Sequence, residues 1–208
     1  DLRSHGESSG KQEEFLLSGA INDICSGIDF LLSIGVRRIL LIAASFSGGL
    51  SIRAAELRNE SVSHLILFNP RLTYTPWIKD PAFWVNGHLS KEAQESMEER
   101  GYIERNSFKL GCAMVNELLS FDPIKGLSSL DKPILYIHGT EDSVIPIEST
   151  RENYKQNNKS ESIEIPGAQH GFTDPETDDP HSDKSREIRL TVLDKAIKWV
   201  DERFLKDQ

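Results

Sequence analysis

Ala43-Ala44-Ser45-Phe46-Ser47-Gly48-Gly49 follows the apolar run Ile39-Leu40-Leu41-Ile42 directly, and a helix-like segment begins at Leu50. A strand that passes into a helix over so few residues must turn sharply. The turn forces one residue into strained backbone space and leaves room only for small side chains two positions before and after it. Ala43 and Ser47 meet that condition around Ser45. Ser45 and Gly49 meet it around Ser47. Sterics leave both serines open, and either would stand exposed at the tip of the turn, as a nucleophile must.

Two later segments have the same strand-then-loop character: His138-Gly139-Thr140-Glu141-Asp142-Ser143-Val144-Ile145-Pro146 and Pro166-Gly167-Ala168-Gln169-His170-Gly171-Phe172. Residues 133 to 137 read as a buried parallel strand before the first loop, and residues 162 to 165 as a shorter strand before the second. Both loops should therefore leave the carboxyl edge of the sheet that presents the serine. The chain order is Ser, Asp, His.

Residues 36 to 55 resemble the strand, elbow and helix of the α/β-hydrolase family, and they align without a gap only with Ser45 as nucleophile. The resemblance gives Phe46 as the donor of the first oxyanion N–H. Ala43 and Ser47 replace the usual glycines of G-x-S-x-G. This A-x-S-x-S form is similar to the acyl-carrier-protein thioesterases of luminous bacteria. The later loops resemble the family's acid and base loops, with Asp142 at the aspartate of H-G-x-x-D-x-x-x-P, and Ser-Asp-His is the family's order.

Each residue type has its own reason. A serine hydroxyl is a weak nucleophile at neutral pH, so His170 takes its proton during attack and returns it to the leaving group. Asp142 holds the imidazole in the right tautomer and stabilises the imidazolium. Glu141 is the neighbouring rival for the acid. His181 is the rival base, but it lies in a proline-broken acidic run, residues 174 to 183, with the composition of a solvated loop. That run lacks the spacing that wraps a cation, so no metal is expected. His138 is read as satisfying local polar groups, and His5, His64 and His88 as surface or satisfied polar residues.

Asp1-Leu2-Arg3-Ser4-His5-Gly6-Glu7-Ser8-Ser9-Gly10 resembles the segment D-x-R-G-H-G-x-S-x-G that closes the fourth strand of these hydrolases, with Ser4 in place of a glycine. The first three strands, and the loop that donates the second oxyanion N–H, have no counterpart. The resemblance implies an N-terminally incomplete hydrolase or a shortened relative whose fourth and fifth strands pair directly.

The rest of the chain fits an α/β class with a doubly wound, mostly parallel sheet. Leu17, Ala20, Ile21, Ile24, Ile28, Leu31 and Leu32 recur at helical spacing up to Gly35, and residues 62 to 68 form another apolar strand. Val192, Leu193, Ala196, Ile197, Val200 and Phe204 line a final helix expected to pack on the sheet. The expected organisation is core over residues 1–70, holding the fourth to sixth strands, a lid over 71–130 and core again over 131–208. Within 71–130 the alternation stops, a glutamate-rich helix falls near residues 90 to 100, and a mixed segment runs from 106 to 121. Lid aromatics Trp77 and Trp84 are expected to wall an acyl site, or else to anchor the lid.

At 208 residues, 38% of them hydrophobic, the chain can bury one core without disulfides or metal. Cys25 and Cys112 are expected as buried free thiols, which favours a reducing, cytoplasmic setting. No run is long enough for a membrane span. A formal charge of −9 with scattered basic residues argues against nucleic acid and anionic membranes. No Walker loop and no G-x-G-x-x-G after a strand is present, so no nucleotide cofactor is expected. The sequence thus reads as a serine hydrolase that cleaves a small carboxylic ester through an acyl-enzyme. An acyl thioesterase and a non-catalytic hydrolase-like binding module are the alternatives.

Overall fold

A computed structural model describes residues 1–105 and 108–206, and the side chain of Trp77 lies outside the described residues. In chain order come helix α1 (Leu17–Ser33), strand β1 (Ile39–Ala44), helix α2 (Ser47–Leu57) and strand β2 (Val62–Phe68). Next are the short helix α3 (Thr75–Ile78), strands β3 (Trp84–Val85) and β4 (His88–Leu89), and helix α4 (Lys91–Arg100). Strands β5 (Tyr102–Arg105) and β6 (Phe108–Gly111) precede helix α5 (Cys112–Ser120). Strand β7 (Ile134–Gly139), helix α6 (Glu148–Asn153), strand β8 (Ser160–Ile165) and helix α7 (Asp183–Trp199) complete the order.

These elements fall into two compact units. One holds Asp1–Gly27 with Thr73–Asp122, the other Ile28–Leu72 with Pro123–Gln208. The expected lid limits were 71 and 130. The two units divide at 73 and 122, and the first 27 residues share a unit with residues 73–122.

The second unit is built on a parallel sheet of order β1-β2-β7-β8. The run Ile-Leu-Tyr-Ile-His-Gly of β7 is buried at every position, as expected of a strand with neighbours on both sides and packed layers on both faces. Ile66, Leu135, Ile137 and Ile165 of the strands pack against Val192, Ala196 and Trp199 of α7, and each such aliphatic side chain stabilises the fold by about 1.5–3 kcal/mol. Leu50, Ile52, Ala54 and Ala55 of α2 are completely buried. Lys132 is buried too, its ammonium donating to the carbonyls of Asn59 and Val62. Burial pulls its pKa below the ordinary lysine value.

Three expectations need correction. No strand forms before residue 39, so neither a fourth strand nor its direct pairing with β1 is seen among the described residues. Residues 1 to 10 are instead turns, with Ser4, Gly6 and Gly10 at φ 62, 54 and 112°, which interrupts the extended backbone that a ladder needs. The stripe on α7 is only partly covered: Leu193 and Ile197 are 51% and 57% exposed, as is Ile42 on β1 at 61%. A strand at the sheet's margin has one neighbour, so its surroundings cover less of it. Cys25 is buried, but Cys112 opens α5 and is exposed.

In the first unit, Glu117 of α5 accepts the Leu17 N–H at 2.6 Å and the Ser18 hydroxyl at 2.5 Å, which places a carboxylate at the N-terminus of α1 where the helix dipole favours it. The rings of Tyr74 and Phe121 meet edge to face, and His5, Phe15 and Phe108 form a second ring cluster. The glutamate-rich helix is α4. The Ser90 hydroxyl accepts the Ala93 N–H at its start, and Gly101, at φ 79°, ends it.

One glycine in the sheet carries a prediction. A Cβ on Gly139, at the end of β7, would lie 2.3 Å from the Ala168 carbonyl oxygen, a backbone atom with no freedom to swing away. Gly139→Ala should therefore destabilise the fold by about 2–4 kcal/mol. A denaturant titration checks this through a lower midpoint at unchanged slope.

Candidate active site

The carboxyl edge of the sheet gathers four chain segments in the second unit, one after each strand. After β1 the backbone turns at Ser45, which is held at φ 51°, the left-handed region that a non-glycine residue occupies only under surrounding constraint. The constraint is visible. The Ser45 N–H donates to the Phe68 carbonyl at 2.9 Å, and its own carbonyl accepts the N–H groups of Gly48 and Arg71 at 3.0 and 2.8 Å. Helix α2 then runs so close to the end of β2 that a Cβ on Gly48 would sit 2.5 Å from the Pro70 Cβ.

The two serines of the turn have different surroundings. The Ser47 hydroxyl donates to the Ala44 carbonyl at 2.8 Å and accepts the Ala44 N–H at 3.1 Å, so it is spent on the turn itself. The Ser45 hydroxyl lies 2.8 Å from His170 Nε2.

Asp142 follows β7 and His170 follows β8. His170 Nδ1 is 2.7 Å from Asp142 Oδ2, which completes a line of hydrogen bonds from carboxylate to imidazole to hydroxyl. A carboxylate only accepts, so Nδ1 carries the proton and Nε2 is left to accept from Ser45. Asp142 Oδ1 takes the N–H groups of Val144 and Ile145 at 2.9 and 2.8 Å, turning the loop back on its own side chain. Burial pushes this acid up. Hydrogen bonds from His138, His170 and the Ile145 amide more than offset that and hold it well below the usual carboxylate range.

The rivals lie elsewhere. Glu141 is exposed, and His181 sits on the exposed acidic loop with its N–H on the Asp179 carboxylate. In that loop Asp174 takes Lys184 as its partner at 2.8 Å, which holds the carboxyl below its ordinary value.

The loops after β7 and β8 are stitched together by backbone. Thr140 N–H reaches the Ile165 carbonyl at 3.0 Å, Glu141 N–H the Ala168 carbonyl at 3.1 Å, and Gly167 N–H the Thr140 hydroxyl at 2.8 Å. Asn69, just after β2, joins both loops. Its Oδ1 accepts the Gly139 N–H at 2.9 Å and its amide nitrogen donates to the His170 carbonyl. Asn69 is 2% exposed and adopts φ 42°. In the sequence it stands only as Asn-Pro closing a strand, and nothing in that pattern reveals which loops its amide spans. Asn69→Ala would orphan a buried donor and a buried acceptor at about 1–3 kcal/mol each and free the His170 backbone. The expected result is a lower melting temperature together with slower labelling of Ser45 by an active-site serine probe.

A cavity of about 340 Å³ opens beside Ser45 and His170, walled by Ala44, Phe68, Phe172, Val192 and Leu193, with Arg189 at its rim. The Arg189 guanidinium donates to the Pro180 carbonyl. Phe68 and Phe172 meet edge to face at 6.0 Å. Helical spacing marked Val192 and Leu193 as core, and the residue after His170-Gly171 carried no signal of a wall. Trp84 is half-buried on β3 of the first unit, and the Trp77 side chain lies outside the described residues. Helix α2 begins two residues after Ser45 and directs its positive N-terminal end toward it. Among the described residues no group of three histidine, cysteine or acidic side chains is placed to hold a metal ion, and no helix is long and apolar enough to cross a membrane.

The family model of the dienelactone hydrolases matches residues 120–202, which include Asp142 and His170. No curated protein matches the chain. Among solved structures, Est1E of Butyrivibrio proteoclasticus with ferulic acid bound superposes with a TM-score of 0.69 at 19% identity, over 95% of this chain and 76% of that one. The mouse α/β hydrolase domain-containing protein 10 gives 0.66 at 17%, over 96% and 76%. A thermophilic esterase from Thermogutta terrifontis gives 0.61 at 18%, over 97% and 78%.

Proposed function

We propose that this chain, which has the α/β-hydrolase fold, is a serine hydrolase that cleaves a small carboxylic ester through an acyl-enzyme on Ser45. The observation that carries the reading is the line of 2.7 and 2.8 Å contacts from Asp142 through His170 to Ser45, formed by three loops at one sheet edge. His170 Nε2 takes the hydroxyl proton as Ser45 Oγ attacks the ester carbonyl. Asp142 steadies the imidazolium. Collapse of the tetrahedral intermediate expels the alcohol, protonated by His170, and a water activated by the same ring then releases the acid.

The Phe46 N–H, at the start of α2, is the proposed donor to the developing oxyanion, where losing one donor typically lowers turnover about a hundredfold or more. The apolar cavity accepts the acyl or alcohol group. Its aromatic and aliphatic walls favour a hydrocarbon or aryl portion of modest size. Esterase descriptions among the similar structures support the same reaction class.

The test is a fluorophosphonate probe followed by paired substrates, a p-nitrophenyl ester and a thioester with the same acyl group. Labelling at Ser45 with preferential turnover of the ester is expected. Labelling with preferential turnover of the thioester would move the assignment to an acyl thioesterase, and no labelling at all would overturn it in favour of a binding module.

A further inference from the structure

We propose that His138 is a positioning residue for the reaction above: from its buried place beside Asp142 it fixes the carboxylate and tempers that carboxylate's pull on the His170 ring. The inference rests on Ser45, His170 and Asp142 acting as proposed.

His138 is the fifth residue of β7 and is completely buried. Its Nε2 lies 3.0 Å from the Ile145 carbonyl oxygen and 3.3 Å from Asp142 Oδ2, and its Nδ1 lies 2.8 Å from the Thr150 hydroxyl. The Ile145 carbonyl can only accept, so Nε2 carries a proton. That one N–H is shared between the carbonyl and the carboxylate. In the neutral ring Nδ1 then accepts the Thr150 hydroxyl.

Asp142 Oδ2 therefore faces two imidazoles, at 2.7 and 3.3 Å, while Oδ1 faces two backbone N–H groups. Four donors for the roughly four acceptor sites of a carboxylate leave it no freedom to rotate. An apolar side chain would fill the same space in the core and hold none of this. Both ring nitrogens of His138 are used, and they connect the acid to the turn at Ile145 and to helix α6 at Thr150.

Electrostatics give the second half of the role. A donor on Oδ2 draws off part of the negative charge that stabilises the His170 imidazolium, so the ring gives its proton back to the leaving group more readily. The charged and titratable groups around His138 are few. Asp142 faces it from its own loop, His170 shares Asp142 from the base loop, and Glu164 lies across the β7–β8 register. Arg151 of α6 already holds Glu164 through two bonds of 2.8 and 2.6 Å, which fixes that carboxylate's charge. The donors from His138 and His170 also account for Asp142 remaining ionised despite its burial.

Two variants separate positioning from mere packing. The amide of His138→Asn can reach Thr150 in place of Nδ1 but loses the contact of Nε2. His138→Gln puts an amide nitrogen near Nε2, within reach of Ile145 and Asp142. With p-nitrophenyl acetate, His138→Asn should lose about ten- to a hundredfold in kcat with KM changed by less than about twofold. With the donor gone, Asp142 holds the His170 proton more tightly, so the acid limb of kcat/KM should move to higher pH by about half a unit or more. His138→Gln should recover most of both.

The same shift is read without turnover from the His170 ring-proton titration by NMR. An unchanged His170 titration in a natively melting His138→Asn overturns the proposal, as does equal impairment of the two variants. Absence of both turnover and fluorophosphonate labelling in the wild type is a failure of the esterase reading instead, and the NMR titration tells the two failures apart.

Discussion

Ser45→Ala should abolish acylation, with kcat/KM for an activated ester falling by about four to six orders of magnitude, whereas Ser47→Ala should stay within about tenfold of the parent. The contrast follows from where each hydroxyl is spent. Ser45 Oγ is 2.8 Å from the imidazole nitrogen able to take its proton, and no other hydroxyl of the turn is so placed. Ser47 Oγ instead closes the turn on Ala44, so its loss leaves a backbone carbonyl at the elbow without that donor. The expected cost is about 1 kcal/mol of stability and a slight loosening of the strained residue. Labelling by a fluorophosphonate followed by peptide mass spectrometry checks both variants in one measurement. A parent-like rate for Ser45→Ala, or acylation that moves to Ser47, would refute the assignment.

Asp142→Asn should lower kcat by about ten-thousandfold while the variant still folds. Its orientation is dictated by the loop. The N–H groups of Val144 and Ile145 require an oxygen at the Oδ1 position, so the new amide nitrogen falls where Oδ2 stood, facing His170 Nδ1 and the donating Nε2 of His138. His170 must then accept at Nδ1 and carry its proton on Nε2, the tautomer that cannot take a proton from Ser45. Two donors, His138 and the new amide, are also brought head to head.

The pH dependence has a definite sign. In the folded protein the Asp142 carboxyl is held below its unfolded value. The stability it contributes is therefore fully present above the ordinary carboxylate pKa and is lost as pH falls through the folded one. Asp142→Asn should remove that acid-side slope from a plot of unfolding free energy against pH. A parent-like slope would show that the carboxylate is not held as described.

The elbow was legible because backbone strain dictates composition. A sharp strand-to-helix turn admits only small flanking residues, and Ala43 and Ser47, or Ser45 and Gly49, announce it by size alone. The two loops were legible because each follows a short apolar strand, and the resemblance to H-G-x-x-D-x-x-x-P and to the order Ser, Asp, His pointed to Asp142 and His170. The choice between Ser45 and Ser47 was not legible from sterics, because it depends on which hydroxyl the turn consumes. The partners of Asn69 and His138 were hidden for a different reason, although His138 was read as satisfying local polar groups and does so. Each works through contacts that no motif spacing encodes, Asn69 with Gly139 and His170 and His138 with Ile145 and Thr150, and a linear pattern carries no such pairing. The α7 stripe misled because helical spacing reports which residues are apolar and not how far the sheet beneath them extends. Leu193 consequently lines a cavity. The hairpins β3–β4 and β5–β6 went unread because strands of two to four residues are too short to establish a period.

The amide bridge at Asn69 ties the ends of two neighbouring strands to the loop that bears the imidazole. Reactivity and sheet integrity consequently share one mechanical joint, and warming should extinguish both over the same few degrees. A gap between the inactivation curve and the loss of the far-ultraviolet signal would mean that the joint yields first, in which case a tighter residue at that corner is where heat tolerance could be gained.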